Sequence, residues 1–379
     1  MTTTGDTAQR KLPRITTIDQ LYDYLYRALR LEHATIPPYL TALYSLHPES
    51  NSDARHIIRV VAVEEMLHLT LVANVMNAVG GEPDLTRPGF APTYPTALPA
   101  GESDFLVDLR PFSRAAVETF LKIERPKEAP DEASRIVRRH DLRAEFGAGA
   151  EESGESLATV PGMPGMQFWS IGEFYEEIID GIKELHKIYQ AQGKELFTGD
   201  PGRQVSPEYF YSGGGEIVVV TGLDSAEQAL TLIAEQGEGI GGGIYDSAGE
   251  LAHYYRFQQL KLGRYYQEGD DPGKPSGPEL TVEWDSAYPV KKNARLKDYP
   301  PGSELYAAAK AFNVSYAGFL RQVTHAFTGK PGLLLDAVWE MFRIRDDMTR
   351  LIHNPIPGQP GVHAGPTFEL DSRPKGAAS

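Results

Sequence analysis

Two short stretches of the chain place a carboxylate and an imidazole three residues apart. In VAVEEMLHL (61–69) the pair is Glu65 and His68, and in GELAHYY (249–255) it is Glu250 and His253. On a helix that spacing sets both side chains on one face, where they can grip a divalent ion. Glu32 lies among Ala28, Leu29 and Ile36, and Glu173 and Glu177 stand four apart in SIGEFYEEIIDGIKEL. One glutamate from each of two helices, with Glu-x-x-His from two others, is a donor set for two iron or manganese ions. Carboxylates neutralise and bridge such ions, and imidazoles suit Fe, Mn or Zn while leaving positions for dioxygen or substrate. A lone Glu-x-x-His is common by chance; two, with lone glutamates in two further helices, are far more specific.

These donors need helices to position them. Thr17 or Thr16 caps a first helix over about 18–46, whose stripe Leu21, Leu25, Ala28, Leu29 takes in Glu32 and continues to Ile36 and Tyr39. The Pro37–Pro38 pair should kink it or start a new segment. Asp53 caps a second helix over about 54–79, with the stripe Ile57, Val61, Glu65, His68, Val72, Val75, Val79, ended by Gly80–Gly81. A Pro- and Gly-rich crossover (82–166) holds one helix at 113–126 and a charged, flexible stretch at 127–160. A third long helix spans 168–192, a strand-like EIVVVTG occupies 216–222, and a fourth helical span covers 225–266, read as 224–236 and 249–266. Accessory helices follow at 303–327 and 333–352. The reading is an all-α four-helix bundle with a long crossover, a small strand-containing insertion and extra C-terminal helices, as a single domain over 15–370 with flexible ends.

Each donor has a structural alternative. Glu65 could be half of an exposed Glu64–Glu65 pair, but the apolar stripe runs through 65 and 68. Glu250 could simply favour a helix N-terminus. The third helix has its apolar stripe at Ile171, Tyr175, Ile178, Ile182 and Leu185; Glu173 and Glu177 lie beside it, and periodicity does not choose between them. His33 points away from Glu32, to a surface or supporting role, and His186, His325 and His353 lack a partner motif. Tyr39, Tyr175, Tyr254 and Tyr255 are core by default, with one or two available to orient ligands. GEGIGG (237–242) matches a dinucleotide fingerprint in letters only, since a helix and not a strand precedes it; it reads as a flexible connector, with Glu238 a reserve donor.

The 379 residues include no cysteine, which removes disulfides, thiolate nucleophiles and cysteine-ligated clusters. A net charge of −15 without a basic stretch disfavours nucleic acid and anionic membranes. The N-terminus lacks the apolar run of a signal peptide and no segment is apolar enough to span a bilayer, so a cytoplasmic setting is expected.

LEHATIPPYLTALYS (31–45), EEMLHL (64–69), SIGEFY (170–175), EQGEG (235–239) with HYYRF (253–257), and GPTFE (365–369) together resemble the bacterial ferritin-like family that includes the ferritin-like part of the violacein-pathway iminophenylpyruvate dimer synthase. The resemblance runs from about residue 15 to 370. It implies a ferritin-like core and metal ligation at Glu32, Glu65, His68 and His253. It favours Glu173 over Glu177 and makes Glu238 a rival of Glu250. The dimer synthase is much longer, with an additional N-terminal region, so its coupling activity is not carried over.

The expected function is a dinuclear oxidoreductase in secondary metabolism. It would carry two iron ions (or manganese), use dioxygen as co-substrate, and act on a small organic molecule with an external electron donor. Phe168, Trp169, Phe210, Tyr211 and Tyr245 suggest an aromatic or amino-acid-derived substrate, beneath a pocket walled by the crossover and the Gly-rich 212–216 and 237–243 segments. Assembly with further copies of the chain is compatible with this. The rivals are a ferroxidase or metal-handling protein, and a bundle whose site is only structural.

Overall fold

The computed structural model describes residues 15–99, 105–126, 170–210 and 215–370. The stretch 127–160 and the aromatic residues Phe168, Trp169 and Tyr211 lie outside them. α1 (Ile18–Ser45) opens on a capping box in which Thr17 Oγ1 accepts from the Gln20 amide at 3.3 Å while the Gln20 side chain accepts from Thr17 N–H at 3.1 Å. The helix is continuous through Pro37–Pro38, where a kink or a new segment was expected. Pro38 has no N–H for the carbonyl four residues back; the Tyr94 hydroxyl serves instead, donating to Ala34 O at 2.8 Å.

α2 (Ser52–Ala78) starts one residue before the expected cap Asp53, which lies in its first turn. Asn51 occupies the cap position at φ +52° without a side-chain cap bond. Its amide instead clamps the Glu283 backbone, accepting from N–H at 2.8 Å and donating to O at 2.9 Å. Among the described residues the remaining α-helices are α3 (Arg114–Ile123), α4 (Ile171–Ala191), α5 (Leu223–Glu238), α6 (His253–Leu262), α7 (Glu304–Phe327) and α8 (Leu333–Ile352). α1 packs along α2 and α4 along α5, and contacts of α1 with α4 and of α2 with α5 close a four-helix bundle. α3 and α6 pair with each other beside it, and the α7–α8 pair lies on α2 and α1.

Three further expectations are corrected here. Among the described residues there is no strand, only isolated bridges. The 216–222 segment is extended, but side-chain amides occupy the place of a neighbouring strand: Gln204 exchanges two 2.7 Å bonds with Val220, and Asn74 donates to Val218 O at 3.0 Å. The helical span 225–266 is broken between Glu238 and His253. Gly239, at φ +83°, starts a tight turn in which an added Cβ would fall 2.2 Å from Gly243 O. GEGIGG is therefore a helix end plus a defined turn rather than a loose connector.

His33, expected at the surface or supporting the site, is buried against Phe90 and hydrogen-bonded to the Tyr316 hydroxyl. Burial, aided by Arg30, pushes its pKa down to about 3. The unfolded chain takes up this proton near pH 6.5, so between those values the unfolded state binds more protons and stability falls as pH falls. We expect this residue alone to cost about 2 kcal/mol by pH 5. Urea midpoints of metal-free wild type and His33→Leu at pH 7, 6 and 5 check it; parallel pH dependences would refute it.

Candidate metal centre

Six elements converge on one buried point. α1 contributes Glu32, Thr35 and Tyr39 from one face, and α2 contributes Glu64, Glu65 and His68. Glu124 caps the C-terminus of α3, Tyr175 comes from α4, Gln236 from the last turn of α5, and His253 is the first residue of α6. Glu32, Glu65, His68, Glu124 and His253 are each no more than 2% exposed.

The donor atoms fall into two trios, Glu32–Glu65–His68 and Glu65–Glu124–His253, each with its ligand atoms within 4.8 Å of one another, and Glu65 belongs to both. His68 Nδ1 lies 3.3 Å from Glu32 Oε2 and 3.7 Å from Glu65 Oε1. His253 Nδ1 lies 3.0 Å from Glu65 Oε1 and 3.5 Å from Glu124 Oε2. Both imidazoles thus turn Nδ1 inward. Their outer nitrogens are held elsewhere, His68 Nε2 by Gln236 Oε1 at 2.9 Å and His253 Nε2 by Glu64 Oε2 at 2.8 Å. An Nε2–H that donates to an oxygen leaves the Nδ1 lone pair free for a cation.

Further bonds fix the carboxylates. The Tyr175 hydroxyl donates to Glu32 and the Tyr39 hydroxyl to Glu124. The Thr35 hydroxyl lies 2.8 Å from both Glu65 Oε2 and Glu32 O. Burial, and then the like charges of Glu124 and Glu32, push the Glu65 carboxyl up to about 7. Burial alone would lower both histidines. For His253 the carboxylates of Glu124, Glu64 and Glu65 outweigh it and raise the pKa well above normal, and for His68 Glu32 and Glu65 do so. Burial alone would raise Glu64, but its bond to His253 together with the positive charges of His253, Arg256 and His68 outweighs burial and holds it below the usual range. The polypeptide by itself therefore gathers protons to balance crowded carboxylates. Two divalent cations meet the same need, and His253 Nδ1, buried without a hydrogen-bond partner, faces the place where one would sit. The donor set fits.

The structure brings together Glu32, Glu65, His68 and His253, but not every expected donor. Glu250 is 66% exposed and paired with Arg256 at 3.3 Å. It precedes the first residue of α6, so Glu250 and His253 never share a helical face. Glu173 and Glu177 join neither trio; Glu173 sits in the first turn of α4, beside the cap Ser170. Glu238 instead accepts the Gly172 N–H at 2.5 Å, and a Cβ on Gly172 would meet its carboxylate at 2.7 Å. Glu124 is the donor that periodicity could have found, since it extends the stripe Val117, Phe120, Leu121 of the crossover helix. Of the Gly-rich walls, Gly215 (φ +130°) lies against Leu67 and Gln236 at the edge of the centre. Tyr245 belongs to a small separate cluster with Tyr255 and Tyr266.

The comparisons agree with this architecture. The chain is 27% identical over 338 residues to dichlorochromopyrrolate synthase of Lentzea aerocolonigenes, a match covering 83% of this chain and 29% of that enzyme's length. Its fold matches a ferritin-like protein from Caulobacter vibrioides with a TM-score of 0.57 at 23% identity, covering 89% of this chain and 96% of the other. The model of the family described as ferritin-like matches residues 25–262, most of the chain and every donor above, and the chain belongs to that family.

Proposed function

We propose that the chain is a non-haem dinuclear-metal oxidoreductase, with two iron ions as the expected cofactor, acting with dioxygen on a small organic molecule of secondary metabolism. The observation that carries this reading is the pair of buried trios sharing Glu65. Similarity to a named synthase favours an organic substrate over bare metal handling. Bound ions of this kind supply open positions and redox equivalents for dioxygen chemistry. The chain supplies the rest. Glu65 spans the two halves, Tyr39 and Tyr175 hold the terminal carboxylates, and the closed bundle keeps bulk water from the donors. No described helix is long and apolar enough to cross a membrane.

The test is metal analysis on protein purified without chelator or immobilised nickel, followed by oxygen-electrode assays with ascorbate and a panel of aromatic amino acids. Two iron or manganese ions per chain, with oxygen uptake that needs both reductant and an organic molecule, is the expected result. Repeated oxidation of added ferrous ion alone would move the chain to the metal-handling reading. A single ion, or zinc, would sink the dinuclear one.

A further inference from the structure

The two halves of the centre correspond almost atom for atom. Each has a terminal glutamate held by a tyrosine hydroxyl, Glu32 by Tyr175 and Glu124 by Tyr39. Each has a histidine with Nδ1 inward, and both share Glu65. They differ at the outer nitrogen of the imidazole. His68 Nε2 meets the neutral amide of Gln236 at 2.9 Å, whereas His253 Nε2 meets the carboxylate of Glu64 at 2.8 Å. We propose that this difference makes the halves unequal: the Glu65–Glu124–His253 half takes the first ion and holds it more tightly, with Glu64 and Gln236 setting the gap. The proposal rests on the dinuclear reading above.

An imidazole N–H donating to a carboxylate makes a charge-assisted bond, roughly twice as strong as one to an amide, and the opposite nitrogen becomes the better electron-pair donor. Glu64 also brings a full negative charge close to the ion. Arg256 works against it from 3.5 Å on the other oxygen, but the same guanidinium nitrogen also pairs with Glu250 at 3.3 Å, so it weakens the field without cancelling it. The helix ends do not decide the matter. α6 begins at His253 and α3 ends at Glu124, so a positive and a negative terminus meet at the same half and offset each other. Thr35 acts on the shared Glu65 and favours neither half.

The experiment titrates the metal-free protein anaerobically with cobalt(II), followed by calorimetry and by visible absorption. Two resolved steps are expected in the wild type. Glu64→Gln should weaken the tighter step by about 10- to 100-fold and spare the other, the range typical of partners behind a ligand. Gln236→Glu should tighten the weaker step and bring the two together. Circular-dichroism melts confirm that each variant folds. If Glu64→Gln does not, Gln236→Glu decides alone, since an unchanged weaker step overturns the proposal. Two equal steps in the wild type, or a Glu64→Gln titration identical to it, with two ions bound, would overturn the inequality and leave the dinuclear reading standing. Failure to bind a second ion would overturn both.

Discussion

Glu65→Ala should empty both halves of the centre at once, taking metal content from about two ions per chain to background and abolishing oxygen uptake. Each other donor serves one trio, but Glu65 serves both, and without it each half keeps one glutamate and one histidine. The stability readout is equally distinctive. An ion that binds only the folded state, present at a thousandfold excess over its dissociation constant, stabilises it by about 4 kcal/mol, so the loaded wild type should melt well above the variant. Metal-free, the order should close up or reverse. The Glu65 carboxyl, pushed up to about 7 by burial and its neighbours, binds protons more readily folded than unfolded. Its contribution is therefore full below the ordinary carboxylate range and drains away as pH rises through 7. At pH 8 the alanine variant escapes that crowding and loses only a side chain's packing. Thermal melts at pH 8 with and without manganese, beside metal analysis, check this. A variant that retains two ions, or one far less stable than wild type when both are metal-free, would refute it.

Phe257→Ala should cost about 3–5 kcal/mol of stability, the usual range for emptying a buried aromatic site. Phe257 is fully buried on α6, with its ring 5.3 Å from Tyr39 and 5.1 Å from Phe120; Tyr39 and Phe120 meet edge-on at 4.7 Å. These rings fasten α6 to α1 and α3 beneath the metal centre, and the Tyr39 hydroxyl is the one that holds Glu124. Truncation leaves a void that packed neighbours fill only in part, so Tyr39 loses its fixed aim. Metal affinity should drop chiefly in the half built on Glu124 and His253. Phe257→Leu should recover most of the stability. Urea denaturation with cobalt titration measures both effects, and a loss under 1 kcal/mol would show that the three rings are not the fastening described.

The sequence made α1 and α2 easy to read because their buried stripes are long and uninterrupted, and Glu32, Glu65 and His68 lie directly on them. Other features were decided by contacts that a linear pattern does not carry. Glu250 and His253 have helical spacing, but Gly239 and the turn after it postpone the helix to His253 itself, and the glutamate is left in solvent. Val218 and Val220 have strand-like chemistry, yet their backbone partners are the side chains of Asn74 and Gln204, residues with no strand signal. Glu124 lies on the stripe of its own helix, but no histidine three residues on marks it as a donor. Tyr94 closing the gap that Pro38 leaves in α1 was not readable, since it depends on a segment some 60 residues away.

The positions of the donors along the chain also fix when they can meet. Glu32, Glu65 and His68 belong to two consecutive helices, whereas His253 is made roughly 180 residues after His68. At about 5–20 residues per second, the ribosome releases one half of the donor set some 10–40 seconds before the residue that completes the other. During synthesis the early helices carry two carboxylates and an imidazole with nothing yet to oppose them. The trio of Glu32, Glu65 and His68 is thus made early, whereas the trio of Glu65, Glu124 and His253 cannot assemble until His253 has been added.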